Sequence, residues 1–155
     1  MTTLFFALSL LACGGKTAAD WRTEAQAALD AGDHAKAITS VDEGLKAAGA
    51  DKAAAWGLET VRLHALAKAG KGADTSKELE RLEKDFGAQL TAALFRQLAD
   101  EAKAANDSTG AIDLLAAGDK KFPDDPSFKA SIEAIKGAEG VSPEEVERLK
   151  ALGYL

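Results

Sequence analysis

Three side chains in this 155-residue chain belong to the types that most often carry specialised chemistry: Cys13, His34 and His64. Cys13 is the only cysteine, so the chain can form neither an internal disulfide nor a Cys-x-x-Cys metal motif. The two histidines have no cysteine or carboxylate at metal-ligand spacing, and the sequence holds no Gly-x-Ser-x-Gly elbow. These patterns predict a protein that has no metal ion, no cofactor and no enzymatic activity.

Cys13 closes an apolar run at the N-terminus. Residues 4–12 are apolar except for Ser9, and no charged side chain precedes Lys16. A membrane-spanning helix needs about 20 residues, whereas the apolar core of a signal peptide needs roughly 7–15, so the run fits only the second. Leu10-Leu11-Ala12-Cys13 resembles the lipobox of bacterial lipoproteins, although the run has no preceding Lys or Arg.

The lipobox resemblance implies both a modification and a compartment. Residues 1–12 would be a lipoprotein signal peptide that is removed, and residues 13–16 a lipidated N-terminus with a short tether, acylated on the thiol of Cys13. Gly14, where some lipoproteins carry Asp, resembles the pattern that sorts to the outer membrane. The expected location is therefore the cell envelope, lipid-anchored at the outer membrane and facing the periplasm. The alternative is an ordinary buried thiol, because free cysteine is among the most buried residue types.

The composition points to helices and away from nucleic acid. Alanine is the dominant residue, accompanied by Leu, Lys and Glu, while only three prolines occur. Alanine and straight-chain residues lose the least free energy on entering a helix. The net charge is −6 with 28% charged residues, and nucleic-acid binding demands a basic face. An acidic, all-α protein is expected.

The chain also carries an internal repeat, because residues 17–49 align with residues 91–123. Thr17-Ala18-Ala19 lies over Thr91-Ala92-Ala93, and Ala37-Ile38 lies over Ala111-Ile112. Within the first copy, Trp21, Ala25 and Ala28 recur at helical spacing, a Gly32-Asp33 break follows, and Ala37, Val41 and Gly44 mark a second helix. The repeated element is therefore expected to be two helices that approach closely through small side chains.

This pattern resembles the tetratricopeptide repeat (TPR), a helix–turn–helix unit of 34 residues. The resemblance implies an α-solenoid of about three TPR-like helical hairpins plus a C-terminal capping helix, within a repeat domain over residues 17–137. The middle unit is longer than the others, and its extra residues are placed near 69–76. The boundaries are about 17–51, 52–87 and 92–125 for the three units, then the capping helix, with a C-terminal helix and tail over 138–155.

In TPR proteins, the first helices of successive hairpins form a concave groove that holds a peptide or helix of a partner. Paired guanidinium groups at Arg22 and Arg96 would suit a carboxylate on that partner. The expected partner is a protein or peptide of the cell envelope, with the membrane reached through the lipid anchor. Transferred to this sequence, the groove positions are Arg22, Gln26, Leu29, Val61, His64, Arg96, Asp100 and Lys103.

Three functions remain open on the sequence alone. The first is a lipid-anchored envelope scaffold or adaptor that binds a partner protein through the concave face. The second is a ligand-binding or enzyme-accessory lipoprotein with a pocket between hairpins around Trp56 and His64. The third is a structural envelope lipoprotein without a specific ligand.

Overall fold

The computed structural model describes residues 15–138 and 140–155, and all of the regular structure within these ranges is α-helical. The prediction of an all-α protein is confirmed for this part of the chain. Cys13 and the proposed signal peptide lie outside the described residues. The helices are α1 (Ala18–Asp30), α2 (His34–Ala48), α3 (Lys52–Lys68), α4 (Gly72–Phe86), α5 (Ala92–Ala104), α6 (Ser108–Lys121), α7 (Pro126–Lys136) and α8 (Pro143–Ala151).

One turn geometry joins α1 to α2, α3 to α4 and α5 to α6. The middle residue of each turn has a positive φ: 76° at Gly32, 67° at Gly70 and 63° at Asn106. In the first turn, Gly32 N–H donates to Leu29 O at 3.0 Å and Asp33 N–H donates to Ala28 O at 2.9 Å. This is the Schellman closure of a helix C-terminus, which needs a left-handed residue such as Gly or Asn. The shared turn gives the three hairpins the same short connection.

Side chains from the preceding residue cap most of the helix N-termini. A Thr, Ser or Asp oxygen accepts from a backbone N–H of the first turn, which satisfies a donor that the helix itself leaves unpaired. The capping residues are Thr17, Asp33, Asp51, Thr91, Asp107, Asp125 and Ser142.

Helix α4 is the exception, because Lys71 makes no side-chain cap. Instead, Asp107 at the start of α6 accepts from Gly72 N–H through Oδ2 at 2.6 Å, while its Oδ1 accepts from Gly110 N–H at 2.9 Å. One carboxylate thus caps two helices and holds their N-termini side by side.

Successive hairpins pack on their neighbours along the chain. Helix α1 contacts α2 and α3, α3 contacts α5, and α4 contacts α6. Helices α7 and α8 continue this order, since both pack against α6. Phe128 of α7 and Leu149 of α8 are fully buried in the same core as α4–α6. The C-terminal segment is therefore an integral part of the helical domain, covering its last hairpin.

The additional residues of the middle unit lie elsewhere than the sequence suggested. The expected insertion at 69–76 is absent, because the α3–α4 turn has the same length as the other two hairpin turns. Helix α3 has 17 residues where α1 and α5 have 13, and a longer loop, residues 87–91, follows α4. An extra helical turn keeps the backbone hydrogen bonds paired, which an enlarged turn would not.

Tyr154, the only tyrosine, links the C-terminus to α6 and provides a spectroscopic test of this packing. Its hydroxyl donates to Asp119 Oδ2 at 3.0 Å. Burial, followed by the hydrogen bond to Asp119 and the negative charge of that residue, raises the pKa of Tyr154 from 10.0 to about 12. Because the folded-state pKa lies above the unfolded value, this contact adds stability that is fully present below about pH 10 and is lost as the pH rises through the folded-state pKa.

We expect the ultraviolet absorbance of tyrosinate to rise with a midpoint near 12 in the folded protein. Asp119→Asn should move that midpoint toward the ordinary pKa of tyrosine, because it removes the negative charge beside the hydroxyl. A midpoint near pH 10 in the folded wild-type protein would show that the Tyr154–Asp119 contact is absent in solution.

Candidate functional site

A cavity of about 370 Å³ lies between α5 and α7, with α6 as its floor and α8 at one end. Its apolar surface includes Ala99 of α5, Ala111 and Leu115 of α6 and Ile135 of α7. Many of these side chains are small, which leaves space for a large apolar group from outside. Its polar and charged lining residues are Arg96, Asp100, Lys103, Ser131 and Glu145.

The structure thus brings together three residues that the TPR resemblance placed in a groove. Arg96, Asp100 and Lys103 all project from α5 into this cavity. The opposite wall was not foreseen, since α7 and α8 were interpreted only as a cap and a tail. Nothing in the sequence around Glu145 shows which helix this side chain faces.

Arg96 is held by the N-terminus of α7. Its Nη1 lies 2.7 Å from Asp125 Oδ2 and 2.6 Å from Ser127 Oγ, and its guanidinium lies 5.5 Å from the ring centre of Phe128. The hydroxyl and backbone N–H of Ser127, together with Arg96, hold the pKa of Asp125 below its usual value. The Arg96 guanidinium, which was expected to bind a partner carboxylate, is therefore already paired with Asp125. Arg96 forms part of the cavity wall.

Asp100 and Lys103 are the exposed charges at the mouth of the cavity. Glu145 faces them from α8, where the Ser142 backbone N–H holds the pKa of Glu145 below its usual value, with a smaller contribution from the positive charge of Lys103. The rim therefore presents both signs of charge around an apolar floor. Such a surface suits a segment that carries an apolar side chain between polar neighbours.

A second depression lies on the first hairpin, next to Ala54 of α3. It has a volume of about 600 Å³ and includes Arg22 and Gln26, two of the predicted groove residues. Gln26 Nε2 donates to Asp30 Oδ1 at 2.8 Å, while Arg22 has no carboxylate within ion-pair distance among the described residues. Arg22 instead lies over the backbone of Gly57.

Leu29 and Val61 do not line a surface, which corrects their assignment to the groove. Leu29 is 5% exposed and Val61 3% exposed, and both pack in the hydrophobic core formed by α1, α2 and α3. The alignment with the TPR motif placed them in the groove, but the neighbouring helix covers that side of each residue.

A ligand pocket was predicted around Trp56 and His64, but both side chains contact other residues of the chain. The Trp56 ring lies 5.4 Å from the ring of Phe86, centre to centre. His64 Nδ1 lies 2.8 Å from Glu101 Oε2, which joins α3 to α5. These groups hold helices together in this structure.

Within residues 15–138 and 140–155, no His, Cys, Asp and Glu side chains cluster as metal ligands. In the same ranges, no helix is long and apolar enough to cross a membrane. No protein-family model, curated protein or solved structure matches the chain.

Proposed function

We propose that this protein is a lipid-anchored scaffold of the cell envelope that binds a segment of a partner protein in the cavity between α5 and α7. The observation that carries the proposal is that Asp100, Lys103 and Glu145 surround a cavity of about 370 Å³ with an apolar floor. An open site with this lining suits recognition of another chain. The proposal assigns no catalytic residue, metal ion or cofactor.

The proposal includes a TPR-like stacking of the hairpins. It is supported by the shared turn geometry at Gly32, Gly70 and Asn106 and by the contacts of α1 with α3 and of α3 with α5. Stacked in this way, the first helices of the hairpins form one side of the molecule. The depression at Arg22 and the cavity at Asp100 would then be two parts of one extended binding face.

The partner segment is expected to place a large apolar side chain against Leu115 and Ile135. Burying such a side chain contributes about 1.5–3 kcal/mol, which makes it the main source of affinity. The charges of Asp100 and Lys103 would set the orientation of the segment through pairs at the rim, where ion pairs add little to affinity but exclude wrong partners.

Photo-crosslinking from the cavity tests this function. A photoreactive amino acid in place of Ala134, an exposed residue of the cavity wall, should capture a defined envelope protein. The same group in place of Ala47, exposed on α2, should not. Adding Asp100→Lys and Lys103→Glu to the Ala134 probe should reduce the adduct about tenfold, because both rim charges are reversed.

Three outcomes are informative. Loss of the adduct in the charge-reversed variant supports the proposed site. Equal yields from the Ala134 and Ala47 probes, or an adduct whose yield does not change on charge reversal, would contradict it and favour a structural role.

Cys13→Ser tests the anchor separately. It should abolish labelling with palmitate and release the protein from membranes, and continued labelling would refute acylation at Cys13.

A further inference from the structure

Helices α4 and α6 touch at their N-termini and leave a groove between them further along. At the N-terminal end the backbones meet, since a Cβ added at Gly72 would lie 2.4 Å from Gly110 Cα. Toward the C-terminal end the gap is spanned by side chains, because Lys121 Nζ lies 2.6 Å from Glu83 Oε1 and 2.8 Å from Oε2. The space between these two contacts, which we call the α4–α6 groove, has a volume of about 370 Å³.

The floor of the α4–α6 groove is apolar and lies on a different face from the proposed partner cavity. The floor consists of Leu79 of α4, Phe95 of α5 and Ala117 of α6. Leu79 and Phe95 belong to the buried core. Ala117 follows Leu115, which lines the partner cavity, by two residues, and residues two apart point to opposite sides of a helix. The two sites are therefore separated by α6.

A hydroxyl group in this groove lacks a hydrogen-bond partner. Ser76 lines the groove from α4, its Oγ is buried, and no group among the described residues hydrogen-bonds to it. The adjacent Thr75, in contrast, donates its hydroxyl to Lys71 O at 2.9 Å, which is the usual arrangement within a helix. An unpaired buried hydroxyl is costly, so a ligand that hydrogen-bonds to Ser76 would gain affinity from that bond.

The rim of the α4–α6 groove carries balanced charge. Glu80 and Lys120 are exposed there, and Lys121 and Glu83 neutralise each other in the ion pair that spans the gap. With two positive and two negative groups, the rim favours neither an anion nor a cation. The lining therefore suits a neutral ligand.

We propose that the α4–α6 groove is a second binding site, which takes a small neutral molecule with an apolar body and one hydrogen-bonding group. The apolar body lies on Leu79 and Phe95, and the polar group pairs with Ser76. A small molecule fits better than a continuous peptide, because the groove is closed at one end by the glycine contact and at the other by the ion pair. Its volume falls within the range of small-molecule sites. This site does not depend on partner binding in the cavity between α5 and α7.

Nuclear magnetic resonance of the full chain with two probes, p-cresol and toluene, tests the site. Both probes have a methylated ring, but only p-cresol has a hydroxyl group. p-Cresol is expected to shift the backbone amide signals of Ser76, Leu79 and Ala117. The amide signals of Ala99 and Leu115, in the partner cavity, should stay unchanged.

Ser76→Ala tests the hydrogen bond. Comparing the two probes in wild type and variant cancels the difference in their hydrophobicity. The ratio of the two dissociation constants should change about fivefold in favour of toluene, because the variant loses the hydrogen bond that only p-cresol can make.

Ala117→Leu tests the location, since the larger side chain would fill the groove. Binding of both probes should weaken by about tenfold or more. The matched control is Ala47→Leu, the same change at an exposed position of α2, which should leave both affinities unaltered.

The outcomes separate cleanly. Signal shifts confined to the groove and abolished by Ala117→Leu support the site. No shift at Ser76, Leu79 and Ala117, or binding that Ala117→Leu leaves intact, would overturn it. A probe ratio that Ser76→Ala does not change would overturn the requirement for a hydrogen-bonding group.

Discussion

Phe128→Ala is expected to lower the free energy of unfolding by about 3–5 kcal/mol, the range typical of removing a buried phenylalanine. Phe128 is fully buried, and its ring lies against the backbone of α6 at Gly118. It also stacks on Phe122, with 6.2 Å between ring centres. Gly118 has no side chain that could fill the space, so the substitution should leave a cavity.

Urea unfolding followed by far-ultraviolet circular dichroism measures this loss. Leu155→Ala is the control, because Leu155 is 57% exposed and its truncation should change stability by no more than about 0.5 kcal/mol. A loss below about 1 kcal/mol for Phe128→Ala would show that α7 is not docked on α6 as the structure describes. The cavity, which has α7 as one wall, would then not exist in the form described.

Gly110→Ala is expected to destabilise the protein by about 1–3 kcal/mol, because it overpacks a contact between two helix backbones. A Cβ at residue 110 would lie 2.7 Å from Gly72 Cα and would also collide with the Asp107 carboxylate. Neither obstacle can move freely, since Asp107 caps both α4 and α6 from this position.

Gly57→Ala is the matched control for Gly110→Ala. Gly57 is also buried within a helix, but the Cβ would meet the Arg22 guanidinium at 2.9 Å, the far end of a flexible and exposed side chain. Arg22 can swing away, and alanine is preferred to glycine in a helix interior by about 0.5–1 kcal/mol. We therefore expect no loss of stability, or a small gain. Equal losses for both variants would mean that the α4–α6 contact is not specific.

The two predictions concern the same half of the molecule as the proposed binding cavity. Asp107 and Gly110 fix the start of α6, and Phe128 fixes α7 on α6. Since α6 is the floor and α7 a wall, stability and the shape of the site depend on the same contacts. If either variant binds a partner more weakly, its stability in urea must therefore be measured as well, because lost stability alone could weaken binding.

Much of the secondary structure followed from local sequence. The break predicted at Gly32-Asp33 is a helix end because Gly32 accepts a positive φ, and the aligned Thr17 and Thr91 cap helix starts because their oxygens satisfy adjacent N–H groups. These effects act within a few residues, so they are readable without a partner helix. The extra turn of α3 was missed because Gly70, Gly72 and the polar residues that follow them are typical of a loop, whereas the structure begins α4 at Gly72.

Site geometry was only partly accessible. The TPR resemblance placed Asp100 and Lys103 in one groove, and both line the cavity beside α5, since residues three apart share a helix face. The resemblance could not show that α7 and α8 would form the opposite wall, that Asp125 would pair with Arg96, or that Leu29 and Val61 would be covered.

The sequence by itself determined that this chain forms short, capped helices in repeated pairs, because caps, turns and helical periodicity are local properties. Tertiary structure alone decided which faces are covered. The double cap at Asp107, the pairing of Arg96 with Asp125 and the cavity between α5 and α7 all join residues that are distant in the chain. Their energies come from close packing and from hydrogen bonds of charged groups, which depend on the neighbours that folding brings together.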